Sequence, residues 1–178
     1  MDDFSEDDLV CPDVATFSDV VKPKPGKTLI VGSHIYGGRA DRRDFHDDAI
    51  GLDMIAGEGV DLVWDLENPL DMKFDHIECC SVLEHAKRPW LVAQNIEAMM
   101  SKGSTLHLAV PFIWRPHAYP NDYWRFTTEA IRLIFPAIKW KYLTYAHKKL
   151  QYEGKLPSVK VKEYPYFART EVYGFGTR

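Results

Sequence analysis

Two short apolar runs in this chain each end in a carboxylate: Ala49-Ile50-Gly51-Leu52-Asp53 and Val60-Asp61-Leu62-Val63-Trp64-Asp65-Leu66. Runs of this length and composition read as buried strands. An acid just past a strand's carboxyl end lies where open α/β sheets take nucleotide-like ligands. Asp53 is then placed to accept hydrogen bonds from a ribose diol. Asp65 is placed beside an adenine ring, with Leu66 packing on the ring face. A strand-end Asp is also an ordinary turn residue. Two such acids, following a glycine-bearing first turn at Gly32, favour the ligand reading.

The elements that must position these acids follow from periodicity. Residues 1–27 are acidic and then proline-punctuated, which predicts an arm and a stiff linker ahead of one domain, 28–178. Thr28 to Gly32 reads as the first strand. Gly37-Gly38 and the charged stretch 39–48 read as a turn and a short helix, with Arg39, Arg42 and Arg43 on its solvated face. Only Met54 to Gly59 separates the second and third apolar runs. Parallel neighbours normally need a crossover of about a dozen residues, so one crossover helix is missing there. Asp75 to Ser81 reads as a fourth strand. Pro89 opens a helix in which Trp90, Val92, Ala93, Ile96, Met99 and Met100 recur at core spacing, with Gly103 as its stop. Ser104 to Val110 is a fifth strand, broken by Pro111. An irregular aromatic stretch, 111–126, leads to a helix beginning at Thr127-Thr128-Glu129. The runs 137–145 and 168–175 form an antiparallel edge hairpin. Strands alternating with helices predict an α/β fold around a mostly parallel sheet.

Composition excludes several classes. A net charge of -4 over 178 residues argues against nucleic-acid binding by bulk electrostatics. The basic, aromatic tail from Tyr145 onward has scattered lysines and no nucleic-acid motif. Cys11, Cys79 and Cys80 supply neither a disulfide framework nor zinc-ligand spacing, so no metal is expected. No run is long enough to span a bilayer and no signal peptide is visible. The expectation is a cytoplasmic protein.

Taken in order, these stretches resemble the class I S-adenosylmethionine-dependent methyltransferases, especially the small methyltransferase type 11 members. The matching residues are Ile50-Gly51-Leu52-Asp53, Gly57 to Leu66, Phe74-Asp75 leading to Val82-Leu83-Glu84-His85, Gly103 to Leu106, and Val110-Pro111-Phe112. The most distinctive block is His117-Ala118-Tyr119-Pro120-Asn121-Asp122-Tyr123-Trp124-Arg125-Phe126-Thr127. The resemblance implies a Rossmann-like, seven-stranded sheet with an antiparallel last strand. It implies S-adenosyl-L-methionine bound over the first, second and fourth strands. Gly32 and Ser33 would line its methionine part, Asp53 and the adjoining Met54 its ribose. Asp65 and Leu66 would flank the adenine, and Ser81 and Val82 would form the far wall. One loop departs from the pattern. Ile30 replaces the usual acid and His34 the usual middle glycine. His34 and Tyr36 would crowd the methionine end, unless Gly37-Gly38 restores the turn.

Methyl transfer to a hydroxyl also needs a base near the transferred methyl. His117, Asp122 and His85 are the candidates, since histidine titrates near neutral pH. His85 follows the fourth strand, and the other two lie in the loop after the fifth. Each has a structural alternative: helix-start packing for His85, local hydrogen bonding for His117 and Asp122. Arg115 and Arg125 could grip an anionic group of the acceptor, or Arg125 could simply pair with Asp122. The expected activity is O-methylation of a small-molecule or carbohydrate-type acceptor. A non-catalytic binding or assembly module of the same fold is the alternative. The signatures of nucleic-acid methyltransferases are missing.

Overall fold

The structure, a computed structural model, describes residues 26–37, 40–117, 120–148 and 169–178. The predicted arm up to residue 25, Gly38, Arg39, Tyr119 and most of the basic tail lie outside the described residues.

The alternating apolar pattern closes into one seven-stranded sheet. Its strands are β1 (Thr28–Val31), β2 (Ala49–Asp53), β3 (Leu62–Val63) and β4 (Phe74–Cys80), followed by helix α1 (Pro89–Met99) and β5 (Met100–Ile113). Helix α2 (Thr128–Ile134), β6 (Lys139–Lys148) and β7 (Arg169–Thr177) complete it. The spatial order is β3-β2-β1-β4-β5-β7-β6. The first five strands are parallel neighbours, and β7 runs antiparallel between β5 and β6.

Side chains alternate across a strand, so each strand feeds two different environments. Leu29, Val31, Ile77, Cys79, Leu106, Leu108 and Val172 face the core. Helix α1 closes over them with Val92, Ala93, Ile96 and Met99, and α2 adds Ile131, next to Phe126 and Phe135. Burying such a side chain is worth roughly 1.5–3 kcal/mol, so this layer carries most of the folding energy. Thr127 starts α2 by accepting from the Ala130 N–H at 3.1 Å, a standard N-cap.

The opposite face is polar. Glu78 lies at its centre. It accepts from Arg42 Nε at 3.0 Å and pairs with the Arg42 guanidinium. It also has His46 Nε2 at 3.2 Å, and His76 Nε2 and His107 Nδ1 at 3.8 Å each. Burial raises the Glu78 carboxyl's pKa. The nearby His107 and His76 imidazoles and the Arg42 charge outweigh that and hold it well below the usual range. Arg42 and Arg43 are therefore not a solvated helix face. Arg43 bridges Asp41 and Asp61 at 2.6 Å each.

Several local expectations need correction. The predicted helix in 39–48 is a single 3₁₀ turn, Arg42–Phe45. No α-helix occurs among the described residues between β1 and β2, β2 and β3, or β3 and β4. More than the one expected crossover helix is thus missing. Strand β3 keeps only two of the residues predicted for it. Helix α1 ends at Met99, and Gly103, with φ 86°, lies inside β5 where the pairing register shifts. Trp90 is not core; it is 47% exposed and meets Trp124 edge-on at 6.0 Å. Strand β5 continues through Pro111 to Ile113. Its pairing with β4 stops at Ala109, and on that side the Pro111 carbonyl accepts from the Phe126 N–H at 2.9 Å, so no β4 ladder bond is lost and a proline is tolerated.

Candidate functional site

The missing crossover between β2 and β3 is replaced by glycines. A Cβ on Gly51 would come within 2.0 Å of the Gly59 carbonyl, and one on Gly57 within 2.2 Å of His34 Nε2. The 54–59 turn therefore lies flat against the loop after β1, where the Ile35 N–H donates to the Glu58 carbonyl at 2.9 Å. His34 is absorbed by this contact, its ring tilted at 35° against Tyr36 with centroids 4.2 Å apart.

The carboxyl ends of β1, β2 and β4 bring the sequence-predicted ligand residues to one rim. Gly32 has φ 72°, and a Cβ there would lie 2.6 Å from Val82 Cγ2. Only glycine allows the post-β1 turn to touch the post-β4 turn in this way. The N–H groups of Gly32 and Ser33 both donate to the Leu52 carbonyl. Ser33 is buried and its Oγ has no hydrogen-bond partner. Asp53 accepts from the His34 N–H at 3.3 Å with one oxygen and from the Ile55 N–H at 3.1 Å with the other. A carboxylate has about four acceptor sites, so two remain for a ligand. Met54, the next residue, is more than half exposed. Asp65 lies two residues past Val63, the β3 partner of Asp53. Its side chain accepts from the Glu67 N–H. Leu66 is buried in the core, which leaves Asp65 as the solvent-facing member of that pair. Ser81 is the one described non-glycine residue with positive φ, 57°. Strain of that kind persists where surrounding structure enforces it, often at ligand sites.

The second group forms where the 111–126 loop folds back over the end of β4. The N–H groups of Tyr123 and Trp124 donate to the Glu84 carbonyl, and Trp124 Nε1 donates to Ala86 O at 2.9 Å. Asp122 receives the Arg125 guanidinium at 2.5 and 2.8 Å and the His117 N–H at 2.7 Å. These hydrogen bonds, those of Arg125 first, hold its carboxyl far below the usual range. Arg125 also reaches the carbonyls of Trp114, Arg115 and Trp124. Of its two sequence readings, the structure shows the pairing with Asp122.

His85, His117 and Asp122 do come together. The imidazoles of His85 and His117 meet edge-on at 4.9 Å, and His117 Nδ1 lies 3.3 Å from Asp122 Oδ2. Burial lowers the His117 pKa, against the pull of Asp122. Beside the two rings lies a residue that sequence reasoning did not single out. Glu84 is 1% exposed, its Oε1 is 3.8 Å from Nε2 of both histidines, and its Oε2 has no hydrogen-bond partner. Burial, with the nearby Asp122 charge, pushes its carboxyl up to about 8. The available signal was a Glu next to a His at the end of an apolar strand.

A surface hollow of about 520 Å³ opens near the start of β2, away from this rim, lined by Asp41, Arg43, Asp44, His46 and Asp61 among others. Arg43 is already neutralised there by Asp41 and Asp61.

The strand order and the reversed β7 define the class I, Rossmann-like methyltransferase fold. Solved structures of that fold superpose on most of the chain. An S-adenosylmethionine-dependent methyltransferase from Anabaena variabilis is 14% identical, with TM-score 0.62 over 93% of this chain and 82% of that one. The 1,6-didemethyltoxoflavin-N1-methyltransferase of Burkholderia thailandensis, solved with S-adenosylhomocysteine, is 12% identical, with TM-score 0.60 over 87% and 72%. Magnesium protoporphyrin IX methyltransferase from Synechocystis, solved with S-adenosylmethionine bound, is 12% identical, with TM-score 0.58 over 91% and 74%. No protein-family model matches the sequence, and neither does any curated protein. Among the described residues no helix is long and apolar enough to cross a membrane.

Proposed function

We propose that the chain is an S-adenosylmethionine-dependent methyltransferase that methylates an oxygen of a small-molecule or carbohydrate-type acceptor. The observation that carries this reading is the Asp53 carboxylate, fixed at the end of β2 by two backbone N–H groups beside the glycine turn at Gly32. That is a preformed acceptor for a ribose diol. Gly32 and Ser33 would hold the methionine part, and Met54 would flank the ribose. Asp65 and Leu66 would border the adenine, and Ser81 and Val82 would close the far side. The cofactor, when bound, supplies an activated methyl group. The protein's part is alignment of the acceptor and removal of its proton. His117 takes that proton, held by Asp122, with His85 beside it. The cofactors bound in the neighbouring structures support the choice of ligand. The free thiols of Cys79 and Cys80 fit a reducing, cytoplasmic setting.

His34, standing where a glycine is expected, favours a second reading, a non-catalytic binding module of the same fold. Thermal unfolding with the cofactor and with its demethylated product separates the two. At a hundredfold excess over Kd, binding stabilises by about 2.7 kcal/mol, which in a chain of this size raises Tm by roughly 5–10 °C. Asp53→Ala should abolish the rise while leaving the ligand-free Tm within a few degrees. No rise with either ligand leaves the non-catalytic module. An undiminished rise in Asp53→Ala refutes the ribose assignment.

A further inference from the structure

We propose that Glu84, His85 and His117 form a binding site for a divalent transition-metal cation of the zinc type. The site offers one carboxylate oxygen and two imidazole nitrogens, all within 4.8 Å of one another. Glu84 Oε1 lies 3.8 Å from His85 Nε2 and 3.8 Å from His117 Nε2. Tetrahedral ligands at ~2.1 Å from a cation stand about 3.4 Å apart. Each histidine nitrogen therefore needs to close on Glu84 by about 0.4 Å, and the two nitrogens, within 4.8 Å of each other, need to draw together as well.

The surroundings fix which nitrogens face inward. His85 Nδ1 is 2.5 Å from the Asn121 carbonyl, and a carbonyl only accepts. Nδ1 therefore carries the proton, and Nε2 presents its lone pair toward Glu84. His117 Nδ1 faces Asp122 Oδ2 at 3.3 Å. A ligand histidine commonly has its second nitrogen oriented by a carbonyl or carboxylate in this way. His85 has such a partner; His117 Nδ1 lies near Asp122 but makes no hydrogen bond to it.

Glu84 supplies the second observation. It is almost completely buried and its Oε2 has no partner. A buried carboxylate is normally matched by a cation. The nearest side-chain cation, Arg125, is occupied by Asp122 and three backbone carbonyls. Glu84 is thus left without a matching cation among the described residues, and two imidazoles select a borderline cation over magnesium or calcium. Three protein ligands leave a fourth position for water or an acceptor oxygen, as in catalytic zinc sites. The existence of the site does not rest on the methyltransferase reading; only its use does. With the cation bound, the fourth position polarises an acceptor oxygen. Empty, the site leaves His117 as the base.

The test uses the full chain, stripped with a chelator and titrated with Zn²⁺ by calorimetry and with Co²⁺ by visible absorption. The expected result is one equivalent bound at micromolar Kd or tighter, with tetrahedral Co²⁺ bands free of thiolate charge transfer. Glu84→Gln, His85→Asn and His117→Asn should each weaken binding at least 100-fold, whereas His46→Asn, in the other histidine cluster, should leave it unchanged. Binding only at millimolar metal, a thiolate band, or full affinity in the three variants would overturn the site. If a variant fails to fold, the wild-type Co²⁺ spectrum and stoichiometry still decide. Cofactor-induced thermal shifts on the stripped protein report on the methyltransferase reading separately.

Discussion

Glu78 and Glu84 are two nearly buried carboxylates on one short stretch, the first inside β4 and the second in the turn just beyond it. Each is approached by histidines. Glu78 also has Arg42, and its carboxyl stays ionised far into acid. Glu84 has no cation of its own, and its carboxyl is pushed the other way. Burial opposes ionisation in both cases, so a matched positive charge makes the difference. The matched carboxylate holds the polar face of the sheet together. The unmatched one lies at the rim where a ligand is expected.

The largest effect should come from breaking the matched pair. Arg42→Met leaves Glu78 largely buried with only histidines around it. Removing one partner of a fully buried pair costs about 3–5 kcal/mol. The Arg42 side chain is 44% exposed, so solvent screening reduces this to about 1–2 kcal/mol. A Tm lower by roughly 3–6 °C is expected, measured by thermal unfolding near pH 7. An unchanged Tm would mean that the histidines alone satisfy Glu78.

A pH series sharpens the same point. The Glu78 pKa is depressed in the folded state, so its contribution is present above the ordinary glutamate pKa of 4.5 and is lost as pH falls below it. His46 is lowered from 6.5, mainly by burial, so the fold favours its neutral form and loses stability as pH falls through that value. Wild-type Tm should therefore fall steeply below about pH 4.5, with a shallower limb between about 6.5 and 4.5, where the loss from His46 is opposed by Glu84, whose carboxyl takes up its proton more readily in the folded state. Glu78→Gln should flatten the lower limb. It should steepen the upper one, because the Glu78 charge currently opposes the desolvation of His46. A parallel pair of curves would remove Glu78 from the acid transition.

This contrast also marks how far the sequence could be read. The strand-end acids Asp53 and Asp65 were legible because a strand is a local pattern and an acid at its end breaks it visibly. The tight link at 54–59 was legible from its length alone. Pairing partners were not. Arg42 meets Glu78, His46 meets Glu78 and His76 meets Thr105 across separations of about thirty residues. No local pattern encodes such contacts. Arg42 and Arg43 accordingly read as solvated, and Trp90 read as core because helical spacing alone does not say which side the sheet covers. The burial of Glu84 depends on the 121–126 loop strapping itself to the Glu84 carbonyl. That is a tertiary event, so only the neighbouring histidines drew notice. The seven-stranded sheet with its antiparallel last strand follows from the family resemblance rather than from periodicity, and the strand order is seen only in the structure.

The smallest stability effect is expected at Glu84. Glutamine keeps the shape of the side chain and is uncharged, the form that burial already favours for the Glu84 carboxyl. Replacing a buried group that lacks a partner is close to neutral, so Glu84→Gln should leave the Tm of the chelator-treated protein within about 1 °C, or slightly raised. Zinc then separates the two carboxylates. One bound equivalent should raise the Tm of the wild type and of Glu78→Gln alike, because anything that binds only the native state stabilises it. Glu84→Gln should show no rise at the same concentration. A clear loss of stability in metal-free Glu84→Gln would instead make Glu84 a structural residue with a partner of its own. The two carboxylates would then differ in degree and no longer in kind.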